Sequence, residues 1–141
     1  MFVKQLTIFV ENKFGRVADI LDILGKNNID IRALSIADTS EYGLLRMIVS
    51  DPGKAKNLLC DSGITVKITS VIAVPLDHTP GGLSKVMGIL KDGGISVNYL
   101  YAFVGTQGAG ANAVVVLKTD KPEETVMLLS QNGITPLGEA F

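Results

Sequence analysis

The chain of 141 residues has room for one domain or two very small ones, and not for a large multidomain enzyme. With 13 Lys+Arg against 14 Asp+Glu and a formal net charge of -1, it offers no positive field for phosphate-driven nucleic-acid binding. One Cys and one His exclude an internal disulfide and a Cys/His zinc cluster, while a charged fraction of 19%, below the roughly 25% of an average domain, leaves surface for association.

Phe2 to Val10 is rich in β-branched and aromatic residues, with Leu6, Ile8 and Val10 on one face, and reads as a strand. Its flanks hold no apolar leader followed by a small-residue cleavage site, so a cytoplasmic protein is expected. Val17, Ile20, Leu21 and Leu24 recur at helical spacing up to Asn27-Asn28, residues that tolerate the left-handed conformation of a helix end. Strands follow at about Ile29 to Ala37 and Leu44 to Val49. Asp51-Pro52 opens a second helix with a capping acceptor and a proline where a missing N–H is harmless, and Gly63 ends it. Within this helix Cys60 reads as a small packed hydrophobe. From Ile64 to Leu76 the sequence is strand-like with no glycine, so one strand is expected to run almost directly into the next.

The same order then repeats. At an offset of 66, Gly15 falls on Gly81, Ile23 on Ile89, Leu24 on Leu90, Ile29 on Ile95 and Leu34 on Leu100. The offset becomes 69 where Asp51 falls on Asp120, then 70 where Gly63-Ile64-Thr65 falls on Gly133-Ile134-Thr135, which places a loop insertion at Gly105 to Ala111. The second helix pair starts at Leu83, Val86, Met87 and Leu90 and at Asp120-Lys121-Pro122, with strands at Ile95 to Val104, Ala113 to Leu117 and from near Thr135. The uncharged span from Gly93 to Leu117 is long enough for a membrane helix, but its glycines, Asn98, Gln107 and Asn112 make it two strands and a loop. Each half is β-α-β-β-α-β, so the fold class is α+β: two ferredoxin-like repeats, each an antiparallel four-stranded sheet with helices on one face. The expected division is residues 1–70 and 71–141. A half of this size with one bare sheet face buries little surface, and pairing with another copy is the physical expectation.

The chemistry is expected at the turn between first strand and first helix, Glu11-Asn12-Lys13-Phe14-Gly15-Arg16 in one copy and Asp77-His78-Thr79-Pro80-Gly81-Gly82 in the other. Glycine admits close backbone approach, and the free N–H groups of a helix start favour a carboxylate, at about 0.3 to 1 kcal/mol on a surface. An ammonium group would need acceptors, which the Asn12 side chain, the Asp30 carboxylate and carbonyls of the turn supply. Gly15 and Gly81 equally serve a plain strand-to-helix turn.

These residues carry a resemblance. The repeated unit, Asp77-His78-Thr79-Pro80-Gly81-Gly82-Leu83 and the following Gly94-Ile95-Ser96-Val97 resemble the ACT domain, an amino-acid-sensing regulatory module, over nearly the whole chain as two tandem copies. The resemblance implies a small-molecule amino-acid ligand at the interface between paired modules, held by this turn and the start of the second strand. It implies that Asn12 matches the family's ligand-binding turn asparagine, and that Asp30, with Ile31 beside it, matches the family's asparagine in the second strand. Phe14 stands where the family has proline, and Arg16 where it has an apolar residue. His78 and Ser96 hold the two polar positions of the second copy, which makes the first-copy turn the competent polar site.

The ligand-binding candidates are thus Glu11, Asn12, Phe14, Gly15, Arg16, Asp30, Ile31, His78, Gly81, Gly82 and Leu83. No catalytic residue, metal or cofactor is expected, and no nucleic-acid or membrane partner. The expected assembly is a homodimer acting on a regulated enzyme or regulator protein. Gly105-Thr106-Gln107-Gly108-Ala109-Gly110 suggests a phosphate loop only superficially, because a strand follows it. Tyr99 and Tyr101 alternate on one strand face, where interface packing is the default. Two other functions compete: an acylphosphatase-like enzyme with Arg16 cradling a phosphate, and a ligand-free protein-interaction module working through its sheet edge.

Overall fold

The computed structural model describes residues 2–38, 41–103 and 113–138. Its elements run β1 (Val3–Glu11), α1 (Arg16–Lys26), β2 (Ile31–Asp38), β3 (Tyr42–Val49), α2 (Pro52–Asp61), β4 (Thr65–Leu76), α3 (Gly82–Asp92), β5 (Val97–Phe103), β6 (Ala113–Thr119) and α4 (Pro122–Gln131). They form two compact units, Lys4–Thr69 and Met1–Val3 with Ser70–Phe141. The glycine-free stretch is one continuous strand, β4, whose residues up to Thr69 belong to the first unit and the rest to the second.

In the first unit β1 pairs antiparallel with β3, from Leu6 opposite Met47 to Glu11 opposite Tyr42. β2 pairs with the other edge of β3, from Ile31 opposite Val49 to Asp38 opposite Gly43. The start of β4 lies beside β1, where the Thr7 and Thr69 hydroxyls meet at 3.1 Å. The period-2 face of β1 (Leu6, Ile8, Val10) and that of β3 (Leu45, Met47, Val49) pack under Ile20 and Leu24 of α1 and Ala55 and Leu59 of α2. Val17 and Leu21 flank this core half-buried.

The second unit repeats the plan. β4 pairs with β6 from Ile72 opposite Leu117 to Leu76 opposite Ala113, and β5 covers the far edge of β6. Ile72, Val74, Leu76, Val115 and Leu117 pack with Val86, Leu90 and Leu129. The strand expected from Thr135 is a single bridge, Leu137 donating its N–H to the Ala73 carbonyl at 2.8 Å, because Pro136 just before it has no N–H to offer. The span from Gly93 to Leu117 yields β5 and β6. Gly105 to Ala111, with its insertion and phosphate-loop readings, lies outside the described residues. Among the described residues no helix is long and apolar enough to cross a membrane.

The helix ends follow the local sequence. Asn28 and Gly94 both take the left-handed conformation, φ 57° and 69°, and the next residue bonds back to the helix, Ile29 N–H to Leu24 and Ile95 N–H to Leu90. Asp51 caps α2 by accepting the Lys54 N–H at 3.1 Å. Asp120 does not do the same for α4. Its carboxylate accepts the Ser96 N–H at 2.9 Å, and the capping position is Lys121, with no side-chain bond. The counterpart of Asp120 is therefore Ser50, whose hydroxyl accepts the Asp30 N–H at 2.9 Å, and the offset is already 70 there, not 69. Cys60 is exposed, one residue past the core-facing Leu59, where the 100° helical step turns it outward.

The two units solve one buried position differently. In the second, the hydroxyls of Thr119 and Thr125 lie 2.9 Å apart, and Thr125 also donates to the Lys121 carbonyl at 2.7 Å. At the matching places the first unit buries Val49 and Ala55. Thr119→Val alone strands the Thr125 partner's acceptor capacity in an apolar core and is expected to cost about 1–3 kcal/mol. The double change Thr119→Val with Thr125→Ala, which installs the first unit's pair, should cost less than the sum of its single changes in urea unfolding.

Candidate functional site

The strand-to-helix turn is built twice with the same bonds. In the first unit Lys13 N–H donates to Glu11 at 2.7 Å, Arg16 to Lys13 at 3.3 Å and Asp19 to Gly15 at 3.0 Å. In the second, Thr79 donates to Asp77 at 2.9 Å, Gly82 to Thr79 at 3.0 Å and Lys85 to Gly81 at 3.0 Å. Gly15 and Gly81 precede their helices with φ 82° and 87°, a conformation that strains any residue with a Cβ. No side chain caps either helix start.

The first turn is charged. The Glu11 carboxylate lies 2.9 Å from the Lys13 ammonium and 3.8 Å from the Arg16 guanidinium. The Lys13 hydrogen bond and charge, then the Arg16 charge, hold the Glu11 carboxyl below its ordinary 4.5. This exposed cluster therefore acts at pH above 4.5 and is lost as pH falls below it.

Beside each turn is a cleft. The first, about 290 Å³, is lined by Glu11, Arg16, Asp19 and Ile20 from the turn and α1, Phe9 and Val10 from β1, Tyr42 from β3, Ser62 to Ile64 ahead of β4, and Thr65 at its start. The second, about 400 Å³, is lined by Pro75 to Asp77, Gly82, Lys85, Val86 and Gly133-Ile134-Thr135. The repeated Gly-Ile-Thr thus faces both clefts. Its glycines end α2 and α4 with positive φ, and its isoleucines bond back to Leu59 and Leu129, so their capping duty masks the threonines that reach the ligand-sized space.

Of the residues expected at the site, Glu11 and Arg16 line the first cleft and Gly82 the second. Asn12 and Gly15 lie on the first turn, Phe14 stands wholly exposed at its tip, and His78 and Gly81 are exposed on the second turn, with Leu83 half-buried in the first turn of α3. Asp30 and Ile31 lie elsewhere. Ile31 pairs with Val49, whereas Glu11 pairs with Tyr42 at the opposite end of β3, about 23 Å away at roughly 3.3 Å per residue. Phe9, Val10, Asp19, Ile20, Tyr42 and Ser62 to Thr65 line the first cleft without having been expected there. Asp19 was within reach of the sequence: Arg16, Asp19 and Ile20 at i, i+3 and i+4 share one face of α1.

The family model described as an ACT domain pair matches residues 1–137. Among solved structures, protein BT0572 from Bacteroides thetaiotaomicron is 37% identical, with TM-score 0.90 over 97% of this chain and 92% of that one. The regulatory subunit of aspartate kinase from Thermus thermophilus, in ligand-free form, is 13% identical, with TM-score 0.61 over 91% of this chain and 90% of that one. The corresponding subunit from Thermus flavus is 14% identical, with TM-score 0.57 over 91% of this chain and 90% of its own. These two share the fold. No curated protein matches the chain.

Proposed function

Because the chain belongs to the ACT domain pair family, we propose that it is a small amino-acid-binding regulatory protein and not an enzyme, its ligand held at the first-unit turn between paired modules. The observation that carries this reading is the charge pattern of the first cleft. One guanidinium, Arg16, stands beside two carboxylates, Glu11 and Asp19, which suits a zwitterion: the carboxylate goes to Arg16 and the ammonium to the acids. The same pair of carboxylates repels an acyl phosphate, which disfavours the acylphosphatase alternative. Two proteins that share this fold are regulatory subunits of aspartate kinase, which supports the regulatory half of the reading.

Asp30 and Ile31 join the site only from a second copy. β2 is an edge strand, and on it Leu34 and Ile36 are 51% and 54% exposed. Antiparallel pairing of two β2 edges buries these side chains and carries one protomer's Asp30 toward its partner's turn. A ligand bridging the two then shifts packing by the difference in its affinity for the two arrangements, and a regulated enzyme or regulator protein reads the shift.

The test is a thermal-shift screen against the twenty amino acids. A ligand that binds only the folded state stabilises it by about 2.7 kcal/mol at a hundredfold excess over Kd. A selective rise that disappears in Asn12→Ala and Arg16→Ala is expected. Light scattering should give a dimer that the Leu34→Glu, Ile36→Glu double variant converts to monomer with loss of the shift. A flat panel from folded protein overturns the reading and favours a ligand-free interaction module.

A further inference from the structure

We propose that the second cleft is a second amino-acid seat, built from Asp77 and Lys85, which holds its ligand in the opposite polarity to the first; this rests on the amino-acid-binding reading above. Matching positions of the two units line both clefts. Asp77 stands where the first unit has Glu11, Gly82 where it has Arg16, Lys85 where it has Asp19 and Val86 where it has Ile20. The scaffold is the same and the charges are not: the cation opens the helix in the first cleft and sits one turn further along in the second.

In the first turn the Glu11 carboxylate is taken by Lys13 at 2.9 Å and Arg16 at 3.8 Å. The second turn has Thr79 and Gly82 at those two places, so it holds no lysine or arginine to neutralise Asp77. Among the described residues neither Asp77 nor Lys85 forms an ion pair, although both line one cleft. One free ammonium and one free carboxylate around a shared space suit a zwitterion: the α-carboxylate goes to Lys85 and the α-ammonium to Asp77. Neither contact requires an existing bridge to break, whereas a carboxylate on Arg16 displaces the one to Glu11.

The start of α3 favours the same direction. α1 carries Asp19 in its first turn, which offsets the positive end of the helix, and α3 carries no acid there. Lys85 adds its charge to that uncompensated end, so an anion is drawn to the α3 side of the cleft. Asp77 is held against the same helix start, since its carbonyl oxygen packs directly on Gly82. Glycine and valine in place of arginine and isoleucine leave about 400 Å³ against about 290 Å³, within the roughly 300–1,000 Å³ of small-molecule sites. Leu76, Val86 and Ile134 wall the cleft from the core beneath the helices.

Calorimetry of the full chain with each of the twenty amino acids tests this. Binding is expected that Lys85→Gln and Asp77→Asn each weaken by at least about tenfold and that Arg16→Ala leaves within about twofold. Both side chains are exposed, and Asp77 holds its turn through the main chain, so circular dichroism should show both variants folded. His78, the only histidine, lies beside Asp77 and serves as a local probe. Its ring resonances should move when the binding amino acid is added to the Arg16→Ala variant and stay in place with Lys85→Gln. If Arg16→Ala abolishes all binding and Lys85→Gln changes none, the second seat is overturned and the amino-acid function stands. Binding lost in Lys85→Gln yet unchanged in Asp77→Asn shows a plain anion seat and overturns the zwitterion pairing. No heat from any amino acid overturns the amino-acid function itself, and this inference with it.

Discussion

Gly82→Ala is expected to destabilise the second unit by about 3 kcal/mol. A Cβ at Gly82 would clash with the Asp77 carbonyl oxygen, a contact no side-chain rotation relieves. That oxygen is fixed, since it accepts the Thr79 N–H at 2.9 Å in the same turn. Relief therefore requires the turn itself to open and lose the bonds that seat α3. Gly81→Ala, one residue earlier, is the comparison: its Cβ meets nothing within 4 Å, so only the backbone conformation at φ 87° resists it, at roughly 1–2 kcal/mol. Urea unfolding should place Gly82→Ala well below Gly81→Ala in midpoint at similar slope. Equal midpoints would mean that the turn yields and that close packing does not decide the residue. The first turn shows what this glycine costs in function, because its counterpart there, Arg16, carries the only guanidinium in either turn.

Much of this architecture is legible in the residues because its causes are local. The strand and helix faces follow from periods of 2 and 3.6, the helix ends from Asn28 and Gly94, and the shared strand from the absence of any glycine or polar linker between Ile64 and Leu76, with Pro75 only near its end. Family membership follows the same way, from the repeat and its turns. Cys60 was misread although its phase is local: Ala55 and Leu59, four apart, already define the core face and put Cys60 outside it. What is not local is the meeting of side chains across the sheet. Tyr42 reaches the cleft because register sets it opposite Glu11, and the same register carries Asp30 to the far end. Asp120 looks like a helix cap beside Pro122, yet Ser96, distant in sequence, takes its carboxylate. Nothing in a short window reports such competition between partners.

Ile20→Ala is expected to cost about 2–5 kcal/mol in stability, against about 0.5–1.5 kcal/mol for Ile20→Val. Ile20 is buried among β1, β3 and α2 and is at the same time the floor of the first cleft, so its truncation removes core contacts that the neighbouring backbone cannot recover. At roughly 0.05–0.15 kcal/mol per residue, a unit spanning Lys4–Thr69 has only a few to about 10 kcal/mol to lose, so the alanine variant lies near the threshold of folding. The protein already contains the milder change. Val86 occupies the matching place in α3, beneath a cleft of about 400 Å³ against about 290 Å³, and its unit folds around it. Ile20→Val is therefore the informative variant for the site, since it keeps α1 seated, and with it Arg16 and Asp19, while removing one methylene from the floor. Its ligand affinity should fall by no more than the roughly 0.8 kcal/mol of a buried methylene if the floor contacts the ligand, with the helix undisturbed in circular dichroism. An unchanged affinity would place the ligand above the floor, and a total loss would show that Ile20 positions α1 as well as contacting what binds beside it.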